Sequence, residues 1–293
     1  MKMVDTGGQL TVKCPAKVNL FLEILNRRPD GYHDIETVMQ AVTLYDDVTL
    51  CRRPGAGIAF RCDDPALPSG LENIAYRAAD LVAREVGLPS GVSVELAKRI
   101  PVQAGLAGGS SDAAGVLAGL NRLFGLELSV GDLCGLAGRL GSDVAFFIHG
   151  GTALCTGRGE IVSPIATDLV AYYVICCPPQ RVSTAEAYQN LPRLGLTRGK
   201  HSATVVRNPI ERGDIRSASA NLFNRLEGVA VFLAPSVGRV KKLLAQAASR
   251  PALVSGSGSA VYALFESEQP AQQVARHMQQ QGVGRIFMVR TEH

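Results

Sequence analysis

Residues 92–125 read VSVELAKRIPVQAGLAGGSSDAAGVLAGLNRLFG. Val92, Val94 and Leu96 alternate with Ser93, Glu95 and Ala97, the period-two pattern of a half-buried strand. Pro101 stops that strand, and Ala104 to Ser111 are small residues almost throughout. Ala113, Leu117, Leu120 and Phe124 then recur at helical spacing, and Gly125 is suited to end the helix. A glycine-rich turn therefore joins a strand to a helix, with serines at the helix start.

The first turn of a helix carries unsatisfied N–H groups and a partial positive charge. Glycines let a ligand approach the backbone without meeting a Cβ. Together they form a cradle for phosphates, and the serine hydroxyls can add hydrogen bonds or reach a phosphate-bound Mg²⁺. A second reading stays open on composition alone: an ordinary turn with Ser110 or Ser111 as N-cap. No Gly-Lys-Ser/Thr closes the loop, so it is not a Walker loop, and it lacks the Gly-x-Gly-x-x-Gly spacing of dinucleotide folds and protein kinases.

With 293 residues, 46% of them hydrophobic, the chain is expected to form one or two globular domains. No apolar run approaches the roughly 18 residues of a membrane span. Met1 to Gly8 have no apolar signal core, which points to a cytoplasmic protein. Seven scattered cysteines without a CxxC pair suggest reduced thiols and no zinc site. The net charge of +4 is too mild to argue for nucleic acid. Its local excess, seven Lys/Arg against three Asp/Glu over 181–217, fits a solvated loop better than a rim for a polyanion.

Upstream, Leu10–Leu25 alternates as a strand and puts Lys17 and Asn19 on one face. They can touch a ligand together, or Lys17 can be an exposed residue of an amphipathic strand. Arg27 to Gly31 is a turn, and Tyr32 and His33 after it either read a planar ligand or pack a loop. A mixed stretch runs to Leu44, followed by short strands at Val48–Cys51 and Ile58–Cys62 and a helix over Leu71–Val86. Asn73 lies in the first turn of that helix, where it suits capping.

Downstream, Ser129 and Asp132 form a capping box for a helix that Gly141 ends. Asp143 then stands at the entrance of an apolar run, where a carboxylate needs a partner, a role or solvent; it can also serve the helix end as an acceptor. Gly150-Gly151 reads as a hairpin and 156–160 as a turn. A strand follows at Leu169–Cys177, then a helix start capped near Ser183, and a polar, mobile stretch at 190–214. Helices are expected at Ala218–Leu226 and Val237–Ala247. A small-residue loop at 253–260 precedes a strand at Val261–Phe265, a helix near 269–280 and a strand at Ile286–Arg290.

Pro101-x-x-x-Gly105-Leu106-x-Gly108-Gly109-Ser110-Ser111-x-Ala113-Ala114 resembles the ATP loop of the GHMP kinase superfamily. Ala104 and Ala107 stand where glycine is frequent there, which a methyl tolerates if φ stays negative. The further motifs are Pro15-Ala16-Lys17-Val18-Asn19-Leu20, Asp30-Gly31-Tyr32-His33, Gly141 to Phe147 and Ser255 to Ser259. In that order they resemble the branch of the superfamily that serves the non-mevalonate route to isoprenoids. The resemblance spans nearly the whole chain.

That resemblance implies an α+β, two-domain GHMP kinase architecture. Residues 1–162 would form an N-terminal ATP-binding domain like ribosomal protein S5 domain 2, and 163–293 a ferredoxin-like C-terminal domain. It implies transfer of phosphate from ATP to the 2-hydroxyl of 4-CDP-2-C-methyl-D-erythritol, with Mg²⁺ bridging the phosphates. Lys17 and Asp143 fall on the catalytic pair. The ATP site falls on Pro101, Val102, Gln103, Ala104, Gly105, Leu106, Ala107, Gly108, Gly109, Ser110 and Ser111, with Asn73 and Lys98 near the adenine. Asn19, Tyr32, His33, Thr184 and Tyr188 fall on the cytidyl substrate's contacts, and the Ser255–Ser259 loop on the wall of the site. Arg225 stands where an acidic residue is common and receives no role. No metal ligands are assigned. The implied partners are small molecules, with no nucleic acid or membrane, and the protein would be a monomer or weak homodimer. A kinase for mevalonate-type or homoserine-type alcohols would share the loop without needing Tyr32 and His33. A non-catalytic nucleotide sensor would lack the Lys/Asp pair that is present here.

Overall fold

The structure, a computed structural model, describes residues 1–192 and 201–293. In chain order the elements begin with β1 (Lys2–Asp5), β2 (Gln9–Arg27), β3 (His33–Arg53), β4 (Ile58–Cys62), α1 (Ile74–Glu85) and β5 (Gly91–Ala97). Next come α2 (Gly108–Phe124), α3 (Val130–Leu140), α4 (Val144–His149), β6 (Thr152–Thr156), β7 (Ile161–Pro164) and β8 (Tyr172–Cys177). The chain continues through α5 (Thr184–Asn190), α6 (Thr204–Glu211), α7 (Ile215–Ala220), β9 (Phe223–Asn224), α8 (Glu227–Leu233) and α9 (Pro235–Ala248). It closes with β10 (Ala252–Val254), β11 (Val261–Phe265), α10 (Glu268–Gln280) and β12 (Arg285–Arg290). Among the described residues no helix is long and apolar enough to cross a membrane.

Two compact units form. The first comprises Met1–Ala16, Leu44–Ile100 and Ala107–Gly150; the second comprises Lys17–Thr43, Pro101–Leu106 and Gly151–His293. The long strands β2 and β3 each contribute to both.

In the first unit β1 pairs antiparallel with the start of β2, the end of β3 pairs antiparallel with β5, and β5 pairs parallel with β4. The alternation at 92–97 does what it predicts: Val92, Val94 and Leu96 are buried, together with Val12, Val48 and Leu50. Helix α2 lies close on these strands because Gly115 and Gly119 have no side chain. A Cβ on Gly115 would strike the Cys14 sulfur, and one on Gly119 would strike Leu50. Gly125 ends α2 in the left-handed conformation, and Ser129 with Asp132 forms the expected capping box on α3.

The second unit holds a four-stranded antiparallel sheet in the order β10-β11-β8-β12. With α9 before β10 and α10 between β11 and β12, this is the expected ferredoxin-like arrangement. Val174, Cys176, Val261, Ala263 and Phe265 of the sheet bury against Val237, Val240, Leu244, Val274 and Met278 of the helices. The unit also contains the later part of β2, the early part of β3, and β6 and β7. β9 adds a short parallel pair to β2 at Phe21 and Leu22.

Several expectations are corrected. The mixed stretch after His33 is continuous strand; over residues 37–42 both faces are buried and the polar residues are satisfied inside. Thr37 donates to the Phe21 carbonyl at 2.6 Å, and Gln40 accepts from Thr152 at 2.6 Å. Gly150-Gly151 links a helix to a strand and is not a hairpin. Ser183 stands at the N-cap of α5 without a side-chain cap bond. The expected helix at 218–226 is interrupted: Asn224 leaves helical geometry, and its amide donates to the carbonyls of Val254 and Gly256, each at 2.7 Å. Of the stretch 190–214, residues 193–200 lie outside the described residues and 204–211 form α6.

The start of α2 also differs. Ser110 and Ser111 lie inside the helix, and the N-cap is Ala107, at φ 55° and ψ 32° with no side-chain cap bond. The condition of negative φ therefore fails at Ala107, whereas Ala104 is not among the positive-φ residues. A left-handed L-residue costs roughly 1–2 kcal/mol, and a glycine returns part of that through unfolded-chain entropy. Ala107→Gly should raise stability by about 0.5–1 kcal/mol in urea denaturation; an unchanged or lower stability would contradict the strain at this position.

Candidate functional site

The second unit brings three sequence-distant stretches together around Lys17. Lys17 is 3% exposed, and its ammonium donates to the Asn19 side-chain oxygen at 2.6 Å. Period-two geometry put these side chains on one face of β2. Asn19 donates in turn to the Thr37 hydroxyl at 2.9 Å. Its backbone N–H reaches Ser255 Oγ at 3.3 Å, and its carbonyl accepts from the buried Tyr262 hydroxyl at 2.8 Å. The reading of Lys17 as an exposed strand residue is therefore replaced by a buried ammonium, which needs acceptors around it.

The first half of the glycine-rich loop docks on the same place. The Lys17 N–H donates to the Leu106 carbonyl at 3.1 Å, and the Ala260 N–H to the Ala104 carbonyl at 3.0 Å. The Ser255 hydroxyl donates to the Gly105 carbonyl at 2.9 Å. Gly105 has φ +76°, and a Cβ there would fall on the Ser255 carbonyl oxygen. Gly256, at φ +54°, leaves the space beside Asn19 and Lys17: a Cβ on it would lie 3.4 Å from the Lys17 ammonium. Thr184 joins this wall through a 3.0 Å hydrogen bond between its hydroxyl and that of Ser257. Asn224, Tyr262 and Thr37 support the site without any signal in the sequence pattern.

His33 and Tyr188, far apart in sequence, stack with ring centroids 5.2 Å apart and planes at 29°. Burial, and secondarily the Arg27 charge, hold the His33 imidazole below its usual pKa, so it is neutral at pH 7. Tyr32 is 55% exposed, and the Arg158 guanidinium lies 5.0 Å above its ring. Arg158 is itself held by Glu160, which accepts its backbone N–H at 2.6 Å.

Arg225, without a role in the sequence, forms a bidentate pair with Glu23, both bonds at 2.7 Å. Burial pushes the Glu23 carboxyl up. The Arg225 guanidinium and the N–H groups of Ile24 and His201 outweigh it, so the group lies below the usual carboxylate range.

Pro101, Val102 and Gln103 also belong to the second unit, and the remaining predicted residues to the first. Gly108 to Ser111 open α2, and the Ser111 hydroxyl is buried with no hydrogen-bond partner among the described residues. Asp143 is half-buried at the N-cap position of α4, and its side chain does not cap that helix. Asn73 caps α1: its oxygen accepts from Ala75 N–H at 3.0 Å, and its amide donates to the Pro68 carbonyl at 2.9 Å. The Lys98 ammonium is buried and held by Asp46 and Asp112. Burial drives the Asp112 carboxyl well above the usual carboxylate range, against the pull of Lys98. Neither carboxylate was singled out from the sequence, because isolated aspartates next to apolar runs carry no periodic signature.

Comparison with known proteins agrees with the loop and the sheet order. The GHMP kinases N terminal domain matches residues 73–151, and the GHMP kinases C terminal domain matches residues 207–284. A 4-diphosphocytidyl-2-C-methyl-D-erythritol kinase from Geobacter sulfurreducens is 44% identical over 271 residues, covering 92% of this chain and 95% of that protein. One from Shouchella clausii is 42% identical over 259 residues, covering 88% of this chain and 86% of its own. A crystal structure of 4-(cytidine 5'-diphospho)-2C-methyl-D-erythritol kinase superposes with a TM-score of 0.81 at 35% identity, covering 97% of this chain and 99% of that one. A homoserine kinase from Cytophaga hutchinsonii, at 21% identity and a TM-score of 0.77 over 100% of this chain and 97% of its own, shares the fold. With relatives this similar along almost its whole length, the chain belongs to the 4-diphosphocytidyl-2-C-methyl-D-erythritol kinase family of the GHMP kinases.

Proposed function

We propose that the chain transfers the γ-phosphoryl group of ATP to the 2-hydroxyl of 4-CDP-2-C-methyl-D-erythritol, giving the 2-phosphate and ADP. The observation that carries this reading is the buried Lys17 ammonium, held beside Asn19 and near Gly256, on a strand whose Lys17 N–H bonds the Leu106 carbonyl of the glycine-rich loop. A charge is placed there at the expense of its hydration, beside the main chain of Gly256. That is the environment in which a cation stabilises negative charge developing on a transferred phosphoryl group.

An alcohol becomes a competent nucleophile when its proton has an acceptor. Asp143 takes that role as general base, and Lys17 orients the hydroxyl. ATP phosphates lie along Pro101–Ser111, with Asn73 and Lys98 on the nucleotide side. Mg²⁺ takes oxygen ligands and usually combines one or two protein groups with phosphates. The buried Ser111 hydroxyl, without a partner among the described residues, fits that donor chemistry. The ion would supply charge neutralisation on the phosphates.

Tyr32 offers an exposed ring for the cytosine, and neutral His33, stacked on Tyr188, offers hydrogen bonds to its polar edge. Asn19 and Thr184 complete the acceptor side. The aromatic group favours a cytidyl substrate over mevalonate or homoserine, neither of which has a ring to stack. Among the described residues no disulfide joins the cysteines, which suits the reducing cytosol where we place the enzyme.

Asp143→Asn removes the base with little change in volume. It should lower kcat by about 100-fold or more and leave ATP affinity near that of the parent; parental turnover would refute the assignment. Lys17→Ala should depress kcat far more than nucleotide affinity, and a change confined to nucleotide affinity would contradict its proposed role. Tyr32→Ala should raise the dissociation constant of the cytidyl substrate by about 5- to 150-fold, the equivalent of about 1–3 kcal/mol of base stacking; an unchanged constant in calorimetric titration would remove Tyr32 from the contact.

A further inference from the structure

Lys98 stands where β5 gives way to the glycine-rich loop, and its side chain is only 6% exposed. Its ammonium bonds Asp46 of β3, and also Asp112 of α2 at 2.6 Å. Asp46 does a second job. One of its oxygens accepts the N–H groups of Arg99 at 2.5 Å and Ile100 at 2.8 Å, the last two residues before Pro101. The first residue of α2 rests on the same group: a Cβ on Gly108 would lie 3.0 Å from Ile100 and 3.2 Å from Asp46 Oδ2.

Stability does not explain this cluster. Buried ion clusters are often no better than well-packed apolar residues of the same volume. Asp112 Oδ1 is buried without a hydrogen-bond partner among the described residues, a further cost. The geometric consequence is specific, however. One ammonium ties the residues entering the 101–107 segment to the helix that leaves it, and both to β3.

We propose that Lys98, with Asp46 and Asp112, is a positioning residue that fixes the spacing between the two ends of the loop and so sets the α2 N-terminus for the nucleotide phosphates. The inference rests on reading that loop as the nucleotide site. It gives Lys98 an action from behind the loop, through two carboxylates, in place of a direct contact by its ammonium. Small displacements of a positioning group are enough to matter, since a shift of about 1 Å can cost on the order of 100-fold in rate.

The test uses the full chain with Asp112→Leu, which removes the tie to α2 without leaving a carboxylate behind, and Asp112→Asn, which keeps size and one acceptor. Affinity for Mg-ADP is measured by calorimetry, alongside KM for each substrate, kcat and Tm. Asp112→Leu should weaken Mg-ADP binding by about 10-fold or more and raise KM for ATP, with KM for the alcohol within about 2-fold of the parent. Asp112→Asn should fall between. Parental Mg-ADP affinity in folded Asp112→Leu overturns the proposal. So does an equal rise in both KM values accompanying a lower Tm, which is the mark of a merely structural role. If Asp112→Leu does not fold, parental affinity in Asp112→Asn overturns it. Mg-ADP binding is read without any acceptor. A parent protein that binds Mg-ADP but fails to phosphorylate the cytidyl alcohol would therefore refute the proposed function and leave this test standing.

Discussion

At Gly105 and Ser255 two stretches of main chain approach so closely that no Cβ fits between them. The approach is possible because Gly105 takes φ +76°, and it is locked by the Ser255 hydroxyl and by backbone bonds from Lys17 to Leu106 and from Ala260 to Ala104. Everything proposed for the second unit's chemistry depends on that closure. It brings β2, the loop before α2 and the loop before β11 to one place, although they are far apart in the chain. Asn224, whose amide bonds the Val254 and Gly256 carbonyls, holds the second of these loops from its other side.

Both units bury a lysine, and the two are treated differently. Lys98 is enclosed by two carboxylates, one of which also fastens the backbone entering the loop. Lys17 lies against the Asn19 amide and beside glycine main chain. A buried ammonium needs acceptors in either setting, and the two lysines draw theirs from different parts of the fold. The Glu23–Arg225 pair is a third buried charge, and its bidentate geometry with two further N–H donors makes it a scaffold element as well.

Much of this was legible in the residues. The alternation at 92–97, the helix from the loop to Gly125, the capping box at Ser129 and the pairing of Lys17 with Asn19 follow from local periodicity, and local periodicity survives folding. What was missed depends on tertiary context. β3 is buried on both faces over residues 37–42, so its polar Thr37 and Gln40 broke the expected pattern while being satisfied inside. Ala107 adopts a left-handed conformation that its side chain gives no hint of. Residues 218–226 look helical, yet Asn224 is drawn out to bond a loop 30 and more residues away. Asp46 and Asp112 read as unremarkable aspartates until the fold places Lys98 between them. A single sequence records which residues are apolar and how they are spaced, but not which distant carbonyl or carboxylate a polar side chain will meet.

We propose that this loop, this buried lysine and Asp143 serve phosphoryl transfer to a cytidyl-bearing alcohol. An ADP-release assay on the full chain, with ATP and Mg²⁺ and with 4-CDP-2-C-methyl-D-erythritol, mevalonate or homoserine as acceptor, tests it most directly. Turnover of the cytidyl alcohol and background rates with the other two is the predicted result. Turnover of mevalonate or homoserine, with none of the cytidyl alcohol, would contradict it.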